Sequence, residues 1–120
     1  MPDRDLALAL NEPISEVKAE LFKALGHPAR IRVLEVLTSG EHSVGEMQPL
    51  VGIEASHLSQ QLGVLRRAGL VSTRREGASI IYSLRDPHVA ELLAVAKRVL
   101  LTTLSADADL LANLRAAVAE

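Results

Sequence analysis

The segment from residue 54 to residue 84 reads EASHLSQQLGVLRRAGLVSTRREGASIIYSL. Its first half predicts a helix over residues 54–68, because three leucines recur at the spacing of one helix face: Leu58, Leu62 and Leu65. Its second half predicts a β-hairpin, since two β-prone runs flank a turn that contains Gly77. The stretch therefore joins an amphipathic helix to a small sheet, and neighbouring segments have to cover the leucine face.

Three helices are expected before this stretch. The first covers residues 15–25 and the second covers residues 28–38. Ser43, with Glu46 three residues later, has the spacing of a capping box for a short third helix, and Gly52 can end it. The third helix, the turn and the following helix make a helix-turn-helix, and the hairpin behind them makes a wing.

The two ends of the chain are expected to lie outside this domain. Residues 1–13 indicate a flexible N-terminal arm that a break at Pro13 ends. A long helix over residues 87–104 follows the hairpin, and residues 105–120 form a C-terminal helix. The predicted fold is thus mainly α-helical with a small hairpin wing, and the winged helix-turn-helix domain covers residues 14–104.

The helix over residues 87–104 is apolar on nearly every side. A helix of this kind has to be buried. In a chain of 120 residues the expected cover is a second subunit.

The helix over residues 54–68 carries small and hydrogen-bonding side chains opposite its leucines. Ser56, Gln60 and Gly63 fall on that face at about 100° per residue. A DNA major groove, about 12 Å wide, admits one helix, and its base edges are distinguished by hydrogen bonds. We therefore predict three base-reading residues: Ser56, Ser59 and Gln60.

The net charge of −2 hides a basic segment. Residues 57–85 contain five arginines and one glutamate, so they carry +4 and the other 91 residues carry −6. A basic patch on an acidic body is typical of proteins that bind polyanions, although a solvated arginine face has the same composition. We predict that five side chains contact the DNA backbone: His57, Arg66, Arg67, Arg74 and Arg75.

Composition excludes several classes of function. The chain has no cysteine, so it has no disulfide, thiolate metal site or thiol nucleophile. Only 2% of its residues are Phe, Trp or Tyr, too few for a stacking platform that binds single-stranded nucleic acid. No apolar run reaches the roughly 18 residues of a membrane span, and residues 1–10 lack a basic secretory start. The expected location is the cytoplasm, away from membranes.

Four motifs, in their order and spacing, resemble the ArsR/SmtB family of winged helix-turn-helix repressors. They are LGHPARIRVL (25–34), SHLSQQL (56–62), LRRAGLV (65–71) and the hairpin segment over residues 77–84. The resemblance implies a homodimer, joined by its first and last long helices, that binds an imperfect inverted repeat in a promoter and usually represses it. The interface residues expected on these two helices are Val17, Leu21, Leu92, Val95, Val99 and Leu100.

The same resemblance permits a comparison with the metal sensors of the family. Their cysteine pair before the turn corresponds to residues 43–47, which contain no thiol. Their second site uses the last helix, where Asp86 and His88 match one half, but Val99 and Thr102 occupy the other half. Two ligands do not hold zinc against water. We therefore expect no metal at these sites and no cofactor, and Asp86 is interpreted as a helix cap.

The sequence thus predicts a dimeric DNA-binding repressor whose effector is unknown. Three alternatives stay open: a metal-responsive repressor with a site built from His27, His42 or His88, a sensor of a small molecule bound near the dimer interface, and a winged helix used for protein interaction. An enzyme is not expected, since the sequence contains no phosphate loop, nucleophile elbow or HExxH motif.

Overall fold

A computed structural model describes the backbone of residues 3–105 and 108–119, and the side chains of residues 13–104 and 112–118. The elements along the chain are α1 (Asp3–Leu25), α2 (Pro28–Thr38), β1 (His42–Ser43), α3 (Val44–Val51), α4 (Ala55–Arg67), β2 (Val71–Glu76), β3 (Ser79–Leu84), α5 (His88–Ser105) and α6 (Ala108–Ala119). They form two compact units, Met1–Pro87 and His88–Glu120. The predicted helix-turn-helix and its wing both lie in the first unit.

The helices of the first unit meet in one apolar core. Its fully buried side chains come from α2, α3 and α4: Val33, Leu34, Met47, Leu58, Leu62 and Leu65. α2 packs against both α3 and α4, and these two pack against each other. The leucine face predicted for α4 is therefore confirmed as the face that holds this helix to the domain.

The wing is a three-stranded antiparallel sheet with the strand order β1-β3-β2. The predicted hairpin is confirmed, with Val71 opposite Leu84 and Glu76 opposite Ser79. β1 was not expected, because two residues show no periodicity. Its His42 pairs with Tyr82, so this histidine is part of the sheet.

α3 begins and ends as its sequence predicts. The Ser43 hydroxyl accepts a hydrogen bond from the Glu46 backbone N–H, and the Glu46 carboxylate accepts one from the Ser43 backbone N–H. Gly52 closes the helix in the left-handed region, with φ 77°. The helix spans only eight residues and contains Pro49, in line with the short helix expected there.

The expected break at Pro13 is wrong, because α1 runs continuously from Asp3 to Leu25 with Pro13 inside it. Residues 6–10 alternate leucine and alanine, two of the best helix formers. An internal proline removes one backbone hydrogen bond and costs about 3 kcal/mol, which can bend a helix without ending it. The backbone of residues 3–13 is thus helical and continues into the rest of α1.

The Arg30 side chain joins three helices. Its Nε donates to the Ala24 carbonyl at 2.6 Å and its Nη2 donates to the Lys23 carbonyl at 3.3 Å, so it satisfies the C-terminal end of α1. Its Nη1 donates to Oε1 of Gln61 at 2.9 Å. Gln61 lies on the core side of α4 and is only 8% exposed. One guanidinium therefore fixes the end of α1 against the back of α4.

We expect Arg30→Met to destabilise the protein by about 1–3 kcal/mol, because it leaves the buried Gln61 amide and two helix-end carbonyls without their donor. Urea unfolding followed by circular dichroism measures this loss. Arg32→Met, on the exposed side of the same helix, is the matched control. Equal effects of the two variants would show that the three hydrogen bonds add nothing to stability.

Candidate nucleic-acid interface

The exposed face of α4 presents the three residues predicted to read bases. Ser56, Ser59 and Gln60 are all exposed, whereas the neighbouring Leu58 and Gln61 are buried. The helix begins at Ala55, directly after the turn that Gly52 starts. The buried leucines hold one face of α4 in the core, so its hydroxyl and amide groups point away from the domain, available to a ligand.

Gly63 has a neighbour that its sequence position does not reveal. A Cβ built on Gly63 would lie 3.2 Å from Nη1 of Arg67, one turn further along α4. The guanidinium of Arg67 thus folds back over the bare backbone at Gly63. From the sequence, the absence of a side chain at Gly63 suggests only that α4 can lie close to the wall of a DNA groove. The structure shows that the space at Gly63 is occupied by the guanidinium of Arg67.

His57 lies at the inner edge of the exposed face. Its ring packs edge-to-face on the ring of His27, with centroids 5.9 Å apart and an interplanar angle of 79°. His27 caps α2, because its Nδ1 accepts a hydrogen bond from the Ala29 N–H at 3.1 Å. His57 is half-buried beside that cap, whereas Arg66 and Arg67 at the other end of α4 are exposed.

The two wing arginines differ in their surroundings. Arg74 forms ion pairs with Glu41 and with Glu76, each with an N–O distance of 2.5 Å. Arg75 points to the other face of β2 and is exposed, and the ion pairs found among the described side chains do not include it. The fold therefore compensates the charge of Arg74 and leaves that of Arg75 to solvent.

These contacts shift the ionisation of the groups involved. The hydrogen bond from the Arg74 side chain lowers the pKa of the Glu41 carboxyl below its ordinary value. The hydrogen bonds to Glu41 and then to Glu76 raise the pKa of Arg74. The backbone hydrogen bond from Ser43 lowers the pKa of Glu46. The carboxylates of Glu41 and Glu46 stay charged at neutral pH, and the ion pairs of Arg74 make the base of the wing less basic than its sequence suggests.

Glu41 is the residue that sequence reasoning missed at this interface. It precedes β1, and β1 pairs with β3, which in turn pairs with the strand that carries Arg74. Only this register brings the carboxylate to an arginine 33 positions away. No local pattern of the sequence marks the pair.

The residues expected at a dimer interface lie on helices of both units, and each helix leaves apolar side chains in solvent. On α1, Val17 is 69% exposed and Leu21 is half-buried. On α5, Val99 is 57% and Leu100 is 59% exposed, Val95 is exposed and Leu92 is half-buried. α1 exposes two further large apolar residues that are outside the expected interface set, Ile14 and Phe22.

The winged arrangement of these elements is shared with known regulators. Residues 25–74 match the family described as "Helix-turn-helix domain". The HTH-type transcriptional regulator Rv0081 of Mycobacterium tuberculosis is 56% identical over 107 residues, which cover 88% of this chain and 94% of that protein. The chain belongs to the ArsR/SmtB family of winged helix-turn-helix transcriptional regulators.

Two solved structures support this membership. The crystal structure of Rv0081 matches with a TM-score of 0.75 and 57% identity, and covers 80% of this chain and 97% of that one. A homodimeric winged helix-turn-helix DNA-binding domain from Mycobacterium bovis, described as a possible ArsR-family transcriptional regulator, matches with a TM-score of 0.67 and 31% identity, and covers 73% of this chain and 82% of that one. The biofilm growth-associated repressor of Agrobacterium fabrum is 47% identical over 85 residues, 71% of this chain and 72% of that protein.

His27 and His42, which were considered as metal ligands, each contact a different part of the protein. His27 uses Nδ1 for the α2 cap, and Nδ1 of His42 lies 4.0 Å from Oε2 of Glu46, beyond hydrogen-bond distance. Among the side chains that the structure describes, no three His, Asp or Glu residues are grouped so that they could hold a metal ion. Within the same residues, none of the helices has the length and apolar character needed to cross a membrane.

We expect the Glu41 carboxyl to titrate below its ordinary pKa, because the Arg74 hydrogen bond favours its charged form. A group whose pKa is lowered by folding adds stability above its unfolded pKa, and this contribution disappears as the pH falls through the folded value. NMR titration of the Glu41 side chain measures the midpoint. Arg74→Ala should move it upward, while Arg75→Ala should leave it in place, and a midpoint indifferent to Arg74→Ala would refute the ion pair.

Proposed function

We propose that this protein is a dimeric transcriptional repressor that binds an inverted-repeat operator, reading base edges with Ser56, Ser59 and Gln60. The observation that supports this most strongly is the division of α4 into a face buried in the core and an opposite, exposed face of hydroxyl and amide groups. A rigidly held helix with such a face fits a major groove, where Gln can form two hydrogen bonds with adenine. Its relatives named as repressors favour repression over activation.

The phosphate backbone is contacted by cations at the two ends of this face. Arg66 and Arg67 lie in the last turn of α4, and Arg75 is an exposed arginine of the wing that the ion pairs among the described side chains do not include. His57 contacts a phosphate from the N-terminal half of α4. Arg74 contributes less than Arg75, because its charge is shared with Glu41 and Glu76 before DNA arrives. Such contacts fix orientation and register without reading sequence.

Two copies of the chain form the binding unit. The apolar side chains that α1 and α5 leave exposed are expected to be covered by the same helices of a second copy. Two-fold symmetry then places the operator half-sites about 10 bp apart, or a multiple of that spacing. We place the protein in the cytoplasm, where it binds promoter DNA without a resident metal or cofactor and without catalytic activity.

We expect Gln60→Ala to reduce operator affinity by about 1–3 kcal/mol and to relax the base preference at a single position of each half-site. Fluorescence anisotropy with operator DNA, selected from a random library, and with its single-base variants measures both effects. Gln48→Ala on α3 is the matched control and should leave the base preference intact. A uniform loss on operator and random DNA would remove Gln60 from base reading.

The wing arginines provide the opposite pattern in the same assay. Arg75→Ala should weaken operator and random DNA alike and flatten the dependence of log Kd on log salt by about one unit, since one phosphate contact is lost. Arg74→Ala should have the smaller effect of the two. If neither variant changes the affinity for random DNA, the wing does not contact the backbone.

We expect the wild-type protein to sediment as a dimer at micromolar concentration and Val99→Glu to sediment as a monomer, because the substitution places a charge in the apolar interface. Leu50→Glu, at an exposed leucine of α3, is the matched control and should remain dimeric. Analytical ultracentrifugation distinguishes the two states. A monomeric wild-type chain would contradict the proposed binding unit.

A further inference from the structure

A cavity of about 680 Å³ lies between α1 and α4, within the first unit. Val17, Leu21 and Ala24 of α1 form one wall, and Val64 of α4 belongs to the other. These α1 residues follow the spacing of one helix face. The volume is in the range of small-molecule sites, which combine apolar walls with a few polar groups.

The charged groups of this cavity are mainly basic. Lys23, Arg30 and Arg67 line it together with a single acid, Glu20. The Nε, Nη1 and Nη2 atoms of Arg30 each donate to a protein acceptor, so this guanidinium is already engaged within the domain. Lys23 and Arg67 are exposed, and their charges are available to a ligand. An apolar space with an excess of positive charge fits a molecule with an apolar body and one anionic group.

A second hollow on α1 has a different character. It measures about 250 Å³, contains no residue of α4 and is lined by Pro13, Ile14, Val17, Lys18 and Leu21. Its walls are almost wholly apolar, as is typical of a surface on which a second copy of the chain packs. Val17 and Leu21 form the ridge between the two hollows, so a ligand in the larger one would lie beside the proposed dimer interface.

We propose that the cavity between α1 and α4 is an effector site for an amphipathic carboxylate, whose carboxylate pairs with Arg67 and Lys23 while its chain lies along Val17, Leu21 and Val64. This assignment rests on the proposed function and names its regulation. Arg67 is also a proposed phosphate contact, so the bound carboxylate withdraws this cation from DNA. Binding of the effector therefore weakens operator binding, and operator DNA weakens effector binding by the same factor.

The test uses sodium decanoate as the probe and the full-length protein without DNA. Titration followed by methyl NMR should shift the methyl signals of Val17, Leu21 and Val64, while those of Leu50 on α3 stay in place. Decyltrimethylammonium, with the same chain length and opposite charge, should not bind there. Shifts spread over unrelated methyl groups, or equal binding of both probes, would overturn the site.

Two arginine variants distinguish specific binding of decanoate in the cavity from nonspecific attraction of an anion to a basic surface. Arg67→Gln should weaken decanoate binding by roughly tenfold to a hundredfold, the loss expected for a charge-assisted hydrogen bond. Arg66→Gln removes the same charge from the neighbouring position, which does not line the cavity, and should change it little. Val64→Trp should fill the space and abolish binding. If Val64→Trp instead changes the dimer affinity while the wild type binds no decanoate, the cavity is part of the dimer surface.

The regulatory step is measured separately with operator DNA. Saturating decanoate should raise the operator Kd by about 5- to 150-fold, the usual range of coupling between two sites. Decanoate that binds the cavity without changing the operator Kd would overturn the regulatory role. Failure of decanoate binding, with the Gln60 base-reading result intact, would overturn this site alone. Loss of selective operator binding itself would overturn the proposed function.

Discussion

The Arg30 guanidinium is the contact on which the arrangement of the first unit depends. It satisfies carbonyls at the end of α1 and the buried amide of Gln61 on the back of α4. α4 is thus held by its buried leucines and by the hydrogen bond between Arg30 and Gln61. Together these two contacts fix the direction in which the exposed face of α4 points. A helix that is proposed to read DNA needs support from within its own domain. Here that support comes from a helix whose far side is proposed to meet the second subunit.

The fold also redistributes charge that the chain places together. The basic segment over residues 57–85 is compact in sequence, but the sheet brings Glu41 into it and pairs Arg74 on both sides. Among the described side chains, the arginines of this segment that form no ion pair include Arg66 and Arg67 at the C-terminal end of α4 and Arg75 on the wing. A binding surface with fewer, better separated charges depends less on bulk attraction and more on the position of each contact.

Local sequence patterns predicted the helices and the hairpin. The features that they did not predict depend on contacts between residues far apart in the sequence. The leucine spacing of α4, the capping box at Ser43 and the turn at Gly77 each depend on residues within a few positions, so the sequence was sufficient for them. The third strand and the Glu41–Arg74 pair depend on contacts across more than 30 residues, which periodicity does not encode. At Pro13 the rule that proline ends a helix failed, because a proline inside a helix removes one hydrogen bond and can bend the helix without ending it. The exposed row of Ser56, Ser59 and Gln60 was predictable, whereas the roles of its members stay predictions.

Gly63 has no side chain, yet it affects the position of a charge. Any other residue would place a Cβ about 3.2 Å from Nη1 of Arg67, so the guanidinium would have to shift by a few tenths of an ångström. If Arg67 contacts a phosphate as proposed, a substitution at Gly63 changes operator affinity through the arginine, without any side-chain contact of its own. Two homologues with identical groove-facing residues but different residues at this position would differ in affinity, and inspection of their contact residues alone would not explain why.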